Sequence, residues 1–320
     1  MLVTLLLIGA GVSAFGVSVV GWDGKDQPEY VWSLWQSTEA LLHGQNPASM
    51  QTLNYPDGYF HEIRWATLTA YLTAIPFAWL PSRVLYSVLV VLGSAATGYT
   101  TYLLALDISE RHGPALLSGL VMLLFPSRWA HVLGGHFETA QTYWYPLALL
   151  MLRHLLLKPT LKRAVLNSVV WALAVMNSLP GTAYVLMPLA LAYGLFGLCH
   201  GVRDHRGGPV LRGLLQSAGI GMMLLAPSVT PLARELLREA TWLVEGGDAD
   251  FSVDLVSLIA PPPQAPFWRL VGGSPRITSD AVANHPQETM GYLGIIPCLI
   301  WRLVSSATSP STMTNVRIRA

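Results

Sequence analysis

Apolar runs long enough to approach a ~30 Å hydrocarbon core recur along this chain, near residues 2–20, 83–106, 114–130, 138–157, 161–178, 180–199, 211–230 and 289–304. One globular core cannot absorb so many long runs. Of the 320 residues, 52% are hydrophobic and 12% charged, about half the charged share usual in soluble domains, which is roughly 25%. The expected fold is an all-α polytopic membrane protein with about eight transmembrane helices. Residues 1–304 read as one transmembrane domain and 305–320 as a polar, unpatterned tail. Lys and Arg balance Asp and Glu to a net charge of +1, so no basic patch argues for nucleic acid. No Lys or Arg precedes the run at 2–20 and further runs follow it, so an anchoring first helix suits it better than a secretory signal. Cys199 and Cys298 fall inside apolar runs and read as small buried hydrophobes.

A ninth stretch, ATLTAYLTAIPFAWL at 66–80, decides the orientation of everything after it. It is short and Thr-rich, with Pro76 inside and Pro81 just after, which suits an interfacial or re-entrant helix. Leaving it out of the count puts Arg153, Lys158, Lys162, Arg163, Arg203, Arg206 and Arg212 in cytoplasmic loops, as the positive-inside rule requires. Counting it as a span puts all seven outside. The expected topology therefore has eight spans, a cytoplasmic N-terminus and two long outer segments, 21–82 and 231–288. Asp107, Glu110 and Asp204 fall inside and every other carboxylate falls on the outer face. Loops of that length usually bind or catalyse.

The first outer segment starts GWDGKDQPEYVW. From Pro28 onward, Tyr30, Val31, Leu34, Trp35, Leu41 and Leu42 share one face of a predicted helix, with Ser33, Gln36, Glu39 and His43 opposite. Such a helix lies on a membrane surface, and Gly44 with Asn46-Pro47 ends it. Asp26 sits three residues before Glu29, so a D-x-x-E cap is one role open to it. Catalysis is the other, and one carboxylate can serve both. Glu29 reads mainly as helix-start chemistry, and Asp23 as a turn residue or a reserve acid.

These stretches, together with YPDGYFHEIRW, FPSRWAHVLGGHFETAQTYWYPLALLMLRHLL, FSVDLVSLIAPPPQAPFW and ETMGYLG, resemble the C-type (GT-C) membrane glycosyltransferases, specifically a bacterial branch of uncharacterised GT-C-like proteins. The resemblance runs over most of residues 1–304. It implies an inverting hexosyl or pentosyl transfer from a polyprenyl-phosphate-linked sugar to a cell-envelope glycan, lipid or protein, at the outer face of a bacterial plasma membrane. By position, Asp26 matches the family's first-loop acid and general base, with Asp23 as fallback. Arg128, His131, His136 and Glu138 fall on the matching second outer connection, where Arg128 and a histidine would meet the leaving phosphate. Asp254 and Glu288 are candidates in the last outer segment, with Glu288 as the substrate-binding one. The chain departs from the family in having no acidic neighbour paired with Asp26, no basic N-terminal flank, and an abrupt end after Val304, as expected of a truncated or frameshifted product.

Each of these residues also has an ordinary role. Arg128 can snorkel to the interface, His131 and His136 can hydrogen-bond at a surface, and Trp22, Trp32, Trp35, Trp65, Trp129 and Trp144 suit an aromatic belt. The histidines and Glu138 have no recognised metal spacing, so no cofactor is expected. The competing readings are a non-catalytic transporter or lipid-handling scaffold, and an inactive fragment of a longer enzyme. Ion-coupled carriers place ionisable groups within their spans, and the centres of these runs offer only Asn167, Asn177 and Gln216.

Overall fold

The structure is a computed structural model that describes residues 19–21, 26–50, 56–60 and 62–238. Those residues are mostly helical. The runs at 2–20 and 289–304, the tail, most of the second outer segment, and Asp23, Asp254, Glu288, Trp22 and Cys298 lie outside them or largely so. Contacts divide the chain into two compact units, residues 1–123 with 132–245, and residues 124–131 with 246–320.

In the first unit, α1 (Gln27–Leu42) is followed by a two-residue pairing of β1 (Ser49–Met50) with β2 (Tyr59–Phe60), antiparallel, Ser49 opposite Phe60 and Met50 opposite Tyr59. A 3-10 turn at Glu62–Thr67 leads into α2 (Leu68–Ala74), and a second 3-10 turn follows at Ile75–Phe77. Pro76 explains that change of geometry, since it cannot donate to an α-helical ladder. The continuous α-helix within 66–80 is thus only seven residues long. It is fastened to the end of a later helix: Thr69 donates its backbone N–H to Met176 O at 3.1 Å and its hydroxyl to Leu173 O at 2.8 Å.

The long helices follow. They are α3 (Ser82–Ser109), α4 (His112–Leu123), α5 (Pro126–Gly134), the short α6 (Phe137–Ala140), α7 (Trp144–Leu157), α8 (Leu161–Val175), α9 (Leu179–Arg203) and α10 (Gly207–Arg238). Three of them, α3, α9 and α10 as far as Pro231, are long and apolar enough to cross a membrane, or four spans if α4 and α5 form one broken span. Proline explains most of the departures from the expected runs. Pro126 opens α5 and Pro146 sits in the first turn of α7, positions where its missing N–H costs nothing, so 114–130 and 138–157 each break in two. In α9 a π turn at Thr182–Leu186 ends two residues before Pro188, and the wider turn accommodates the carbonyl that Pro188 cannot pair.

Outward faces are greasy and inward faces are small and polar. Leu92, Leu116, Leu166, Leu195 and Met223 are exposed, while Ser87, Ser94, Thr97, Asn167, Ser168 and Ser217 are buried. Small residues let helices approach closely, the packing rule of helices in lipid. A Cβ on Gly119 of α4 would meet Gly98 O of α3 at 2.7 Å. Between α8 and α10, Asn167 donates to Ser217 Oγ at 2.8 Å and Ser168 to Ser217 O at 2.8 Å. Cys199 is exposed on α9 and not buried as its apolar setting suggested, because α9 turns much of its surface outward. On α1 the small residues likewise face the protein. Its buried side carries Ser33, Leu34, Ser37 and Thr38, whereas Trp35 and Leu42 are exposed. Ser37 donates to Pro47 O at 3.3 Å, which fixes the loop that leaves the helix.

One end of the helical unit gathers several of its basic residues around Asp107. Asp107, near the end of α3, accepts from Arg153 Nε at 2.6 Å and pairs with His154 Nε2 at 2.9 Å, both on α7. Arg153 also reaches Tyr193 OH on α9, Arg163 at the start of α8 donates to His154 O at 2.6 Å, and Arg206 donates to Leu157 O.

Candidate functional site

At the opposite end of α3 the chain builds a different site. Asp26 occupies the N-cap position of α1, and Pro28 takes the first turn. The cap role drawn from D-x-x-E is corrected: the Asp26 side chain makes no capping hydrogen bond. Its carboxylate turns instead toward His136, with Nε2 3.3 Å from Oδ2. Asp26 keeps 53% side-chain exposure and His136 22%, so the pair faces solvent from one side while the imidazole is held by the fold.

Gly135 makes this pairing possible. Its φ is +102°, and a Cβ there would meet Gln27 N at 2.7 Å and Asp26 C at 3.0 Å. A residue with a side chain would be strained and would collide with the start of α1. The 133–135 turn docks directly on α1. Asp26 N donates to Gly134 O at 3.4 Å and the buried Gln27 amide donates to Leu133 O at 2.9 Å. The GG of HVLGGH is therefore a docking surface for the start of α1, and it sets His136 beside Asp26.

Two residues past His136, Glu138 lines a cavity of about 250 Å3 together with Glu29 and Tyr30 of α1, Arg64, Tyr71 of α2 and Asn177. Burial, reinforced by a hydrogen bond to Glu138 and by the charges of Glu138, Glu29 and Asp26, pushes the Tyr30 phenol well above its ordinary value. Tyr30 consequently stays a donor to Glu138. Arg64 reaches Glu29 at 3.3 Å and lies 5.8 Å over the Trp32 ring. Asn177 donates to Glu138 O at 3.4 Å, and Phe137 packs against Tyr86 and Tyr30 with ring centroids 5.3 and 6.3 Å away.

Of the residues expected from sequence, the structure brings Asp26, His136 and Glu138 to this end of the first unit. Arg128 and His131 belong to the other unit, where Arg128 is buried with its guanidinium 5.5 Å over the ring of Trp129. Asp23 and Glu288 lie outside the described residues. Sequence reasoning passed over Arg64, Tyr30 and Asn177 as site residues and gave Glu29 only a structural part. FHEIRW did carry a signal, an isolated arginine in an otherwise acidic stretch between two apolar runs. Among the described residues no three His, Cys, Asp or Glu side chains gather closely enough to hold a metal ion. Comparison of the chain with protein-family models, with curated proteins and with solved structures returns no match.

Proposed function

We propose that this chain is an inverting membrane glycosyltransferase that moves a sugar from a polyprenyl-phosphate carrier to a hydroxyl acceptor on the outer membrane surface, with Asp26 as general base. The observation that carries this reading is the Asp26–His136 pair: a solvent-reached carboxylate oriented by an imidazole. A general base must be reachable by the acceptor and held in one direction, and this geometry supplies both. In the reaction, an Asp26 oxygen takes the acceptor hydroxyl proton while the acceptor oxygen bonds to the anomeric carbon. The bond from that carbon to phosphate breaks, and its electron pair leaves with polyprenyl phosphate. His136 positions Asp26, and Glu138 contacts substrate.

The proposed setting is the bacterial plasma membrane, with eight spans and a cytoplasmic N-terminus. Clustering of Arg153, His154, Arg163 and Arg206 at one end of the helices supports that orientation, since one shared basic end is what the positive-inside rule asks of successive spans. The greasy outward faces of α3, α9 and α10 support contact with lipid. A reporter fused after Pro81 reads extracytoplasmic under this topology, and a cytoplasmic signal there reverses it. The activity is tested by assaying membranes containing the protein for transfer from polyprenyl-phosphate sugars. Asp26→Asn removes transfer, and undiminished turnover by that variant rejects Asp26 as the base.

A further inference from the structure

The residues lining the 250 Å3 cavity carry three buried polar atoms with no hydrogen-bond partner: Glu138 Oε2, Asn177 Oδ1 and Arg64 Nε. Asn177 is wholly buried. Native proteins leave few such atoms unsatisfied, because each costs the desolvation it underwent. Three on residues that line one cavity are polar groups that a ligand there could satisfy once their side chains turn toward it. Two are acceptors and one is a donor, so the complementary ligand must both donate and accept hydrogen bonds, which hydroxyl groups do. The charges in the lining disfavour a phosphate. Two carboxyl groups, Glu29 and Glu138, stand against one guanidinium, and Arg64 is already joined to Glu29. The volume falls just below the ~300–1,000 Å3 of sites for drug-sized ligands, enough for one ring. Phe137 and Tyr71 add apolar wall for a ring's C–H face.

We propose that this cavity binds a single uncharged, hydroxyl-rich ring, with Glu138 and Asn177 accepting from its hydroxyls and Arg64 donating to one of them, each side chain turning slightly from the wall into the cavity. This deepens the transferase reading and rests on it: Asp26 precedes Glu29 by one helical turn and His136 precedes Glu138 by two residues, so base and ring pocket are neighbours. It also implies that the carrier phosphate is bound by other residues than these.

The test titrates methyl hexosides and methyl pentosides, and separately glucose 1-phosphate and glucuronic acid, into the purified full-length protein in detergent. Binding is read by calorimetry and by tryptophan fluorescence, Trp32 lying beneath Arg64. At least one neutral glycoside binds, at least tenfold tighter than either charged compound. Asn177→Ala and Glu138→Ala each weaken it about tenfold or more, whereas Glu39→Gln, on the exposed part of α1, leaves it unchanged. Equal or tighter binding of the charged compounds, or no binding of any glycoside at millimolar concentration, overturns the proposal; the first comparison needs no variant and survives a misfolded one. Asp26→Asn separates the two readings. Lost transfer with retained glycoside binding supports both, retained transfer rejects only the base, and lost transfer in a protein whose wild type binds no glycoside rejects only the pocket.

Discussion

The two ends of α3 show opposite ways of handling polar groups inside a greasy protein. Near Asp107 both carboxylate oxygens are taken, one by Arg153 and one by His154, and Arg163 and Arg206 tie down backbone carbonyls nearby. Near Tyr86 the polar atoms are more deeply buried yet incomplete: Tyr86 OH, Glu138 Oε2, Asn177 Oδ1 and Arg64 Nε have no hydrogen-bond partner. A satisfied network holds helices in register, whereas an unsatisfied one beside a cavity stores binding capacity at the expense of stability. Substitutions at the two ends should therefore fail differently, the first in folding and the second in activity.

The largest effect belongs to Asp26. Asp26→Asn lowers transfer by about 10²–10⁴-fold, the usual share of a general base, with the melting temperature in detergent unmoved; a parallel drop in melting temperature would make Asp26 a structural residue like Asp107. Asp107→Ala strands Arg153 and His154, which are 25% and 35% exposed. After allowance for that exposure it costs about 1–3 kcal/mol of stability, read as a lowered melting temperature.

Gly135→Ala tests whether the turn sets the Asp26–His136 pair. Strain at φ +102° and the contact with Gln27 N cost about 1–3 kcal/mol, and transfer falls more than stability alone explains. A smaller effect is alkaline. Burial raises the folded-state Tyr30 phenol above 10.0, so its stabilisation is complete below that value and is lost as pH rises past it, by up to about 1.4 kcal/mol per pH unit. Tyr30→Phe removes that part of the alkaline slope in a denaturation series, and an unchanged slope would show that Tyr30 is not held neutral. Gln27→Ala, which deletes the bond to Leu133 O, costs about 0.5–1.5 kcal/mol and is the mildest test of how the start of α1 is held.

Much of this was legible in single residues. Pro126 and Pro146 foretell where apolar runs break, although run length alone concealed those breaks. Pro28 and Gly44 bracket α1 closely, at Gln27–Leu42. The faces of α1 were not legible, because periodicity separates apolar from polar residues without saying which side meets protein. Ser33, Ser37 and Thr38 face inward because small side chains permit close helix contact. Asp26 was identifiable by its place after the first apolar run, but the cap suggested by D-x-x-E gave way to a partner 110 residues away in sequence.

The sequence by itself determined the helical class, the greasy composition of the long segments and the basic loops, because these depend on length, hydropathy and local breakers, which act within a turn or two. Only the tertiary structure decided that the loop of Gly135 lies against the start of α1, that Arg64 and Asn177 share a cavity with Glu138, and that Asp107 is locked by Arg153 and His154. Those pairings join segments tens of residues apart, and they depend on which helix ends come together when the small, polar faces pack.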